Sequence, residues 1–238
     1  MYKRVLLKLS GEALGLNGHG FDFENIKKVA SQIGQMQKEG VQIGIVIGAG
    51  NIWRGRQGTD MDRVTADHMG MLATVINTLA VKDALSNQGI PCCAFSCLQM
   101  DSVAEPYASR KAIEHLEKSE VCIFGGGTGS PFFSTDTGAV LRAAEINADV
   151  ILLAKNIDGV YTSDPNKDAN AKRYKTLSFT KMLADKLKAI DSTAAAICED
   201  NDIPVLVFAL NEENSIKRAC EGEEFGTVMK KDIASDLY

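Results

Sequence analysis

The stretch from Val121 to Asp136 constrains this chain most. An apolar run of strand length, Val121-Cys122-Ile123-Phe124, breaks into Gly125-Gly126-Gly127-Thr128-Gly129-Ser130-Pro131 and continues as Phe132-Phe133-Ser134-Thr135-Asp136. Beyond it Ala139, Val140, Ala143 and Ile146 recur at helical spacing, so the segment reads as strand, glycine-rich turn and helix start. Ser134, Thr135 and Asp136 are each suited to cap that helix. Glycines let backbone N–H groups close on an anion with no Cβ in the way, and the helix N-terminus adds the positive end of its dipole. One such turn is equally well an ordinary strand-to-helix connection. The decision rests on whether other loops converge on it.

Three further apolar runs end in the same manner. Val5-Leu6-Leu7-Lys8-Leu9 stops at Ser10-Gly11, and Val41 to Ile47 stops at Gly48-Ala49-Gly50-Asn51. Ala148 to Ala154 runs into Lys155-Asn156-Ile157-Asp158-Gly159-Val160-Tyr161, followed by Asp164-Pro165. Between and after them lie helical patterns: Phe23, Ile26, Val29, Ile33 and Met36, then Ala66 to Asn87, Ser109 to Lys118, Leu177 to Leu187, Thr193 to Asp200 and Glu213 to Cys220. Pro91 to Ser96, Ile203 to Leu210 and Gly226 to Met229 complete the expected strands. This alternation predicts an α/β fold with a largely parallel central sheet, and ligands in such sheets sit beyond the carboxyl ends of the strands. With 238 residues and 45% hydrophobic content, the chain can bury a sizeable core as one domain, 1–238.

The residues at those ends point to phosphate. Lys8 sits near the carboxyl end of a buried strand, a costly place unless its ammonium meets an anion, though an edge-strand solubility lysine is the bland alternative. Arg54, Arg56 and Arg63 suit bidentate phosphate contact, or are simply a solvated loop. Asp136, Asp164 and Asp191 could hold Mg²⁺ directly or through water, and each is also an ordinary cap or turn former. The chain has no GxxxxGK[ST] and no GxGxxG after its first strand. His19, His68 and His115 are scattered, but a phosphate oxygen needs no base to attack, so alignment and charge neutralisation would carry catalysis. A net charge of −5 gives no global pull toward nucleic acid or an anionic membrane, and neither is an expected partner. The six cysteines show no CxxC and read as reduced core residues. Lys3, Arg4 and Lys8 interrupt any leader-like apolar core, so a cytoplasmic location is expected.

Lys8-Leu9-Ser10-Gly11-Glu12-Ala13-Leu14, Gly48 to Asn51 with Arg54-Gly55, Asp67-His68-Met69-Gly70-Met71, Thr128 to Phe133 and Asp158-Gly159-Val160-Tyr161 together resemble the bacterial uridylate (UMP) kinases of the amino acid kinase superfamily. The match runs from about Tyr2 to Met229 in one order. The resemblance implies a three-layer sandwich in which a mainly N-terminal part binds UMP and a mainly C-terminal part binds ATP. It implies in-line phosphoryl transfer from Mg·ATP to UMP, giving UDP, within pyrimidine nucleotide biosynthesis. Carried over by position, Lys8, Leu9, Ser10, Gly11, Gly50 and Arg54 would meet the ATP phosphates. Asn156, Tyr161 and Asp164 would lie on the adenosine side, with Lys155 as an alternative to Asn156. Ala49, Asp67 and the run Thr128, Gly129, Ser130, Pro131, Phe132, Phe133, Ser134 and Thr135 would form the UMP site, Asp67 on the ribose hydroxyls. Asp191 resembles the aspartate that orients the lysine, and Asp136 would serve the metal. Such enzymes are typically homohexamers activated by GTP and inhibited by UTP. Here two basic positions of the GTP site fall at Cys93 and Glu120, while Lys82 and Asp83 fit, which leaves GTP activation open.

Overall fold

The apolar runs form the middle of one sheet, flanked by helices on both faces. A computed structural model of the protein describes residues 1–53, 60–223 and 225–238. Its strands are β1 (Arg4–Leu9), β2 (Gln42–Ile47), β3 (Cys92–Ser96), β4 (Glu105–Pro106), β5 (Val121–Gly125), β6 (Val150–Lys155), β7 (Tyr174–Ser178), β8 (Val205–Ala209), β9 (Thr227–Lys230) and β10 (Asp236–Leu237). Among the described residues they make one ten-stranded sheet in the order β10-β7-β9-β8-β6-β1-β2-β5-β3-β4. Its pairs are parallel except β8 with β9 and β7 with β10. The four runs whose ends the sequence singles out, β6, β1, β2 and β5, are therefore contiguous at its centre. Lys8 is on a central strand, which removes the edge-lysine alternative.

Alternation along the strands divides the core. Val5, Leu7 and Leu9 of β1, with Ile43, Ile45 and Ile47 of β2, pack under α1 (Phe23–Lys38), α2 (Arg63–Ser86) and α7 (Ser215–Glu221). Leu6 of β1, Val46 of β2 and Phe124 of β5 pack on the other face under α3 (Ser109–Glu117), α4 (Thr135–Glu145), α5 (Phe179–Ala184) and α6 (Ser192–Asp200). This is the expected three-layer α/β sandwich. Helix α1 shows how the sequence builds it. Asp22 accepts from the Asn25 N–H at 3.1 Å to start the helix, and Ile26, Val29, Ala30, Ile33 and Met36 are buried on one stripe. Full burial of each large aliphatic side chain contributes roughly 1.5–3 kcal/mol, so this stripe, rather than intrinsic helicity, holds α1 in place.

Several boundaries differ from the sequence reading. The helix expected over Leu177 to Leu187 is instead β7 followed by α5, because Ser178 accepts from the Lys181 N–H at 3.1 Å and caps a helix that can begin only at Phe179. Helix α2 starts at Arg63, three residues before Ala66, because Asp62 accepts from the Thr65 N–H at 2.8 Å. The short strands β4 and β10 carry no apolar run and form only by pairing at the sheet edges. No described helix is long and apolar enough to cross a membrane.

Candidate functional site

Three glycine-bearing turns meet beyond the carboxyl ends of β1, β2 and β5. The first two touch backbone to backbone: a Cβ on Gly11 would lie 2.4 Å from the Gly48 oxygen and 2.6 Å from the Gly50 nitrogen. Only glycine fits there. A buried amide pair fastens the second turn to α2. The Asn77 Nδ2 donates to the Gly48 oxygen at 2.7 Å and to Asn51 Oδ1 at 2.8 Å, and Asn51 Nδ2 donates to Asn77 Oδ1 at 3.0 Å. Asn77 was not legible as a site residue, since one polar residue in a long helix reads as part of its solvated side.

The third turn is held by α2 from below. The Gly126 N–H donates to Thr74 Oγ1 at 2.8 Å, and Gly126 adopts φ 79°. A Cβ there would approach the Cys97 nitrogen to 3.0 Å, so a side chain is excluded by both conformation and space. Gly127 and Gly129 also take positive φ, and Thr128 Oγ1 donates to the Ser130 oxygen at 2.9 Å. Phe132 donates its N–H to Asp67 Oδ2 at 2.8 Å, and Arg63 Nε donates to the same oxygen at 2.9 Å. Arg63, expected in a loop with Arg54 and Arg56, thus begins α2, and its guanidinium lies 5.6 Å above the Phe132 ring. Arg54 and Arg56 lie outside the described residues.

These turns enclose an open cavity of about 480 Å³. Ala49, Asp67, Thr128, Ser130 and Phe132 to Thr135 line it with Gly50, Trp53 and Arg63. Gly129 and Pro131 belong to the same turn. Phe132 and Phe133 are exposed at its mouth. A second cavity, of about 530 Å³, is lined by Gly50 and Asn51 together with Glu12, Asn17, His19 and Asn156. Gly50 lines both.

Ionised groups gather beneath the third turn. Alternation turns Lys8 toward α4, where its Nζ lies 3.0 Å from Asp136 Oδ1, with the two side chains 11% and 20% exposed. That oxygen is buried, with the Lys8 ammonium in direct contact, and the Lys155 ammonium also acts on the same carboxylate through space. The aspartate that meets Lys8 is therefore Asp136 rather than Asp191. Asp191 caps α6 by accepting from the Ala194 N–H at 3.0 Å, and its carboxylate also accepts from the Thr137 hydroxyl and from Ser134 Oγ. Burial works to raise its pKa, but the bonds from Ser134, Ala194, Thr137 and Thr193 outweigh that and hold it below its ordinary 3.8. Ser134 is the N-cap of α4, accepting from the Asp136 N–H at 3.0 Å, so Asp191 reaches the third turn through that serine.

Lys155 faces the same way as Lys8 and donates to the Ala189 oxygen. Burial lowers its pKa; Asp136 opposes the shift and Lys8 adds to it. Its neighbour Asn156 lines the second cavity instead. Ser10 accepts from the Ala13 N–H at 3.3 Å and caps the short helix Gly11–Leu14. Leu9 is a core residue whose oxygen accepts from the Gly48 N–H at 3.0 Å. Tyr161 donates to Asp158 Oδ1 at 2.9 Å, and Asp164 accepts from the Asn166 N–H at 3.0 Å and lies 3.5 Å from the Lys167 ammonium. Those contacts anchor their own loop, apart from the Lys8–Asp136 cluster.

A profile described as the amino acid kinase family matches residues 3–209. Among solved structures, a UMP kinase from Bacillus anthracis is 38% identical with a TM-score of 0.95, the match covering 100% of this chain and 99% of that one. A UMP kinase from Ureaplasma parvum is 39% identical with a TM-score of 0.91, covering 97% of this chain and 100% of that one. A uridylate kinase from Archaeoglobus fulgidus is 27% identical over 96% of this chain and 100% of its own, with a TM-score of 0.73. The profile spans most of the sequence, and the likeness extends through the whole sheet and its turns: the chain belongs to the amino acid kinase family.

Proposed function

We propose that this chain transfers the γ-phosphoryl group of ATP to UMP, releasing UDP and ADP, as a step of pyrimidine nucleotide synthesis. The observation that carries the reading is the double exposure of Gly50, which lines both cavities, so that two nucleotides would meet phosphate to phosphate at that turn. UMP would occupy the cavity of Ala49, Asp67 and Thr128 to Thr135, built mainly from the N-terminal part. ATP would enter from the side of Ser10, Gly11, Asn156, Tyr161 and Asp164, and the resemblance assigns Arg54 to its phosphates. The acceptor phosphate oxygen attacks the γ-phosphorus as the bond to the β,γ-bridging oxygen breaks, in line, with no proton to remove.

The chain's own residues then supply alignment and charge. The Lys8 ammonium neutralises charge on the transferring group, and Asp136 positions that ammonium. Asp191, held ionised, locks Ser134 and the start of α4, so that the α4 N-terminus faces the acceptor phosphate. The Asp136 carboxylate, with Oδ1 facing the Lys8 ammonium, would offer its other oxygen to a hard divalent cation. Mg²⁺ bound there with ATP would offset the negative charge of the phosphate chain.

Self-assembly is part of the proposal. Met69, Leu72, Ile76 and Leu79 are exposed along α2 at helical spacing, an apolar stripe that a second copy of the chain would cover, consistent with a homohexamer. For effectors, Lys82, Cys93, Asp101, Glu105 and Glu120 share one cavity, where three carboxylates and a single lysine line the wall, so a GTP triphosphate is disfavoured there. UTP is left as the inhibitor to test.

The deciding experiment offers Mg·ATP with a panel of nucleoside monophosphates. UMP should be preferred by at least tenfold in kcat/KM, and Asp67→Asn should raise KM for UMP more than it lowers kcat. Equal use of CMP or AMP, or binding of UMP with no turnover, would overturn the reading.

A further inference from the structure

We propose that Cys93, Glu105 and His115 form a second metal site at the far edge of the sheet, selective for a borderline-soft divalent cation of the Zn²⁺ class. Among the described residues, these make the only group of three His, Cys, Asp or Glu donors whose ligand atoms all lie within 4.8 Å of one another. They come from three elements: Cys93 from β3, Glu105 from the edge strand β4 and His115 from α3. Cys93 Sγ lies 3.1 Å from Glu105 Oε1, and His115 Nε2 lies 3.8 Å from Glu105 Oε2. Ligands of tetrahedral zinc, bound at about 2.0–2.3 Å, stand about 3.3–3.8 Å apart, so donors that all lie within 4.8 Å of one another need move by about an ångström at most to close on one ion.

The imidazole is already oriented for this. Glu120 Oε2 lies 2.8 Å from His115 Nδ1, and Phe95 packs edge-on against the ring with centroids 5.5 Å apart. The closer carboxylate, on Nδ1, would take that N–H in the metal-bound form and leave the Nε2 lone pair for the ion on the side of Glu105, the carboxylate–histidine–metal arrangement. In the metal-free chain the Cys93 thiol donates a hydrogen bond to Glu105; on binding, its proton leaves to solvent as the metal–sulfur bond forms. A cavity of about 290 Å³, rimmed by Lys82 and Asp101, opens onto these donors and leaves room for a water as fourth ligand. The thiolate and imidazole set excludes Mg²⁺ and Ca²⁺, which take oxygen ligands. The ion would tie the two-residue strand β4, which pairs on one side only, to α3.

The test uses the full chain, stripped of metal and titrated with Co²⁺. A thiolate-to-cobalt charge-transfer band should rise to one equivalent per chain and vanish on adding Zn²⁺. Cys93→Ser should abolish the band, while Cys92→Ser should keep it. Zn²⁺ affinity, read by competition with a chromophoric chelator, should fall at least tenfold in His115→Gln and by about tenfold in Glu120→Gln. Circular dichroism of each metal-free variant checks its fold, and the more exposed Glu105 provides, as Glu105→Gln, a ligand variant at the surface, in which Zn²⁺ affinity should also fall. A band that survives Cys93→Ser, an affinity unmoved in folded His115→Gln, or no binding at all would overturn the proposal. None of these readouts depends on phosphoryl transfer, so the proposal stands or falls separately from the proposed kinase activity.

Discussion

Replacing Lys8 by Met should damage stability and turnover through different physics, and the two losses can be separated. The Lys8 Nζ is 3.0 Å from Asp136 Oδ1, and both side chains are largely out of water. At an effective dielectric constant of about 20, that separation corresponds to a gross attraction of roughly 5–6 kcal/mol. Desolvation offsets much of it, but removing one partner leaves the Asp136 carboxylate buried and unpaired, which costs about 3–5 kcal/mol. Urea unfolding should therefore show Lys8→Met less stable by that amount. The double variant Lys8→Met/Asp136→Asn should recover most of it, because no orphan charge remains. Turnover behaves otherwise. Loss of one cationic contact to the transferring phosphoryl group is comparable to loss of an oxyanion donor, about 3–4 kcal/mol, or two to three orders of magnitude in kcat. ADP release measured at saturating UMP should fall accordingly in the single variant and should not recover in the double one. Turnover within tenfold of the parent in folded Lys8→Met would refute the role given to Lys8. A double variant whose stability loss equals the sum of the single losses would refute the pairing.

Two further outcomes follow from the same structure. Asp191 has a folded-state pKa below its ordinary 3.8, so its contribution to stability is complete above that value and is lost as pH falls through it toward the folded value. Asp191→Asn should flatten the decline of the urea midpoint between about pH 5 and about pH 3; an unchanged slope would show that its hydrogen bonds do not hold the ionised form. On α2, Leu72→Asp with Ile76→Asp should shift the chain to a smaller assembly in light scattering without unfolding it, since both side chains are exposed in the single chain. An unchanged mass would mean that the stripe is not where copies meet.

Much of the site was legible because its parts are local. A strand that ends in glycine, a cap such as Ser134 and a turn such as Gly48 to Asn51 are written in adjacent residues, and the resemblance drew on those same runs. Asp136 and Asp191 could each be named, but which of them meets Lys8 was not local information. It depends on α4 crossing the face of β1 that Lys8 shares with Leu6, and alternation within β1 says nothing about which helix covers that face. Asn77 was missed because its partners, Gly48 and Asn51, lie almost thirty residues upstream. The Cys93, Glu105 and His115 group was missed because its members follow no ligand spacing; they converge only when β3, β4 and α3 stack at the sheet edge. Strand β7 has the opposite cause: its end at Leu177 runs without a break into the helical pattern toward Leu187, and pairing with β9 and β10 overrides that local continuity.

The sequence alone determined the alternation of strands and helices, the glycine-lined strand ends and the kinds of charged group placed beside them, because each is set by spacings of a few residues. Only the tertiary structure decided which ends are neighbours, which carboxylate faces the lysine, and that one glycine borders two cavities. Those are contacts between segments far apart in the chain, and they are selected by how the whole sheet and its two helical layers bury their apolar faces at once.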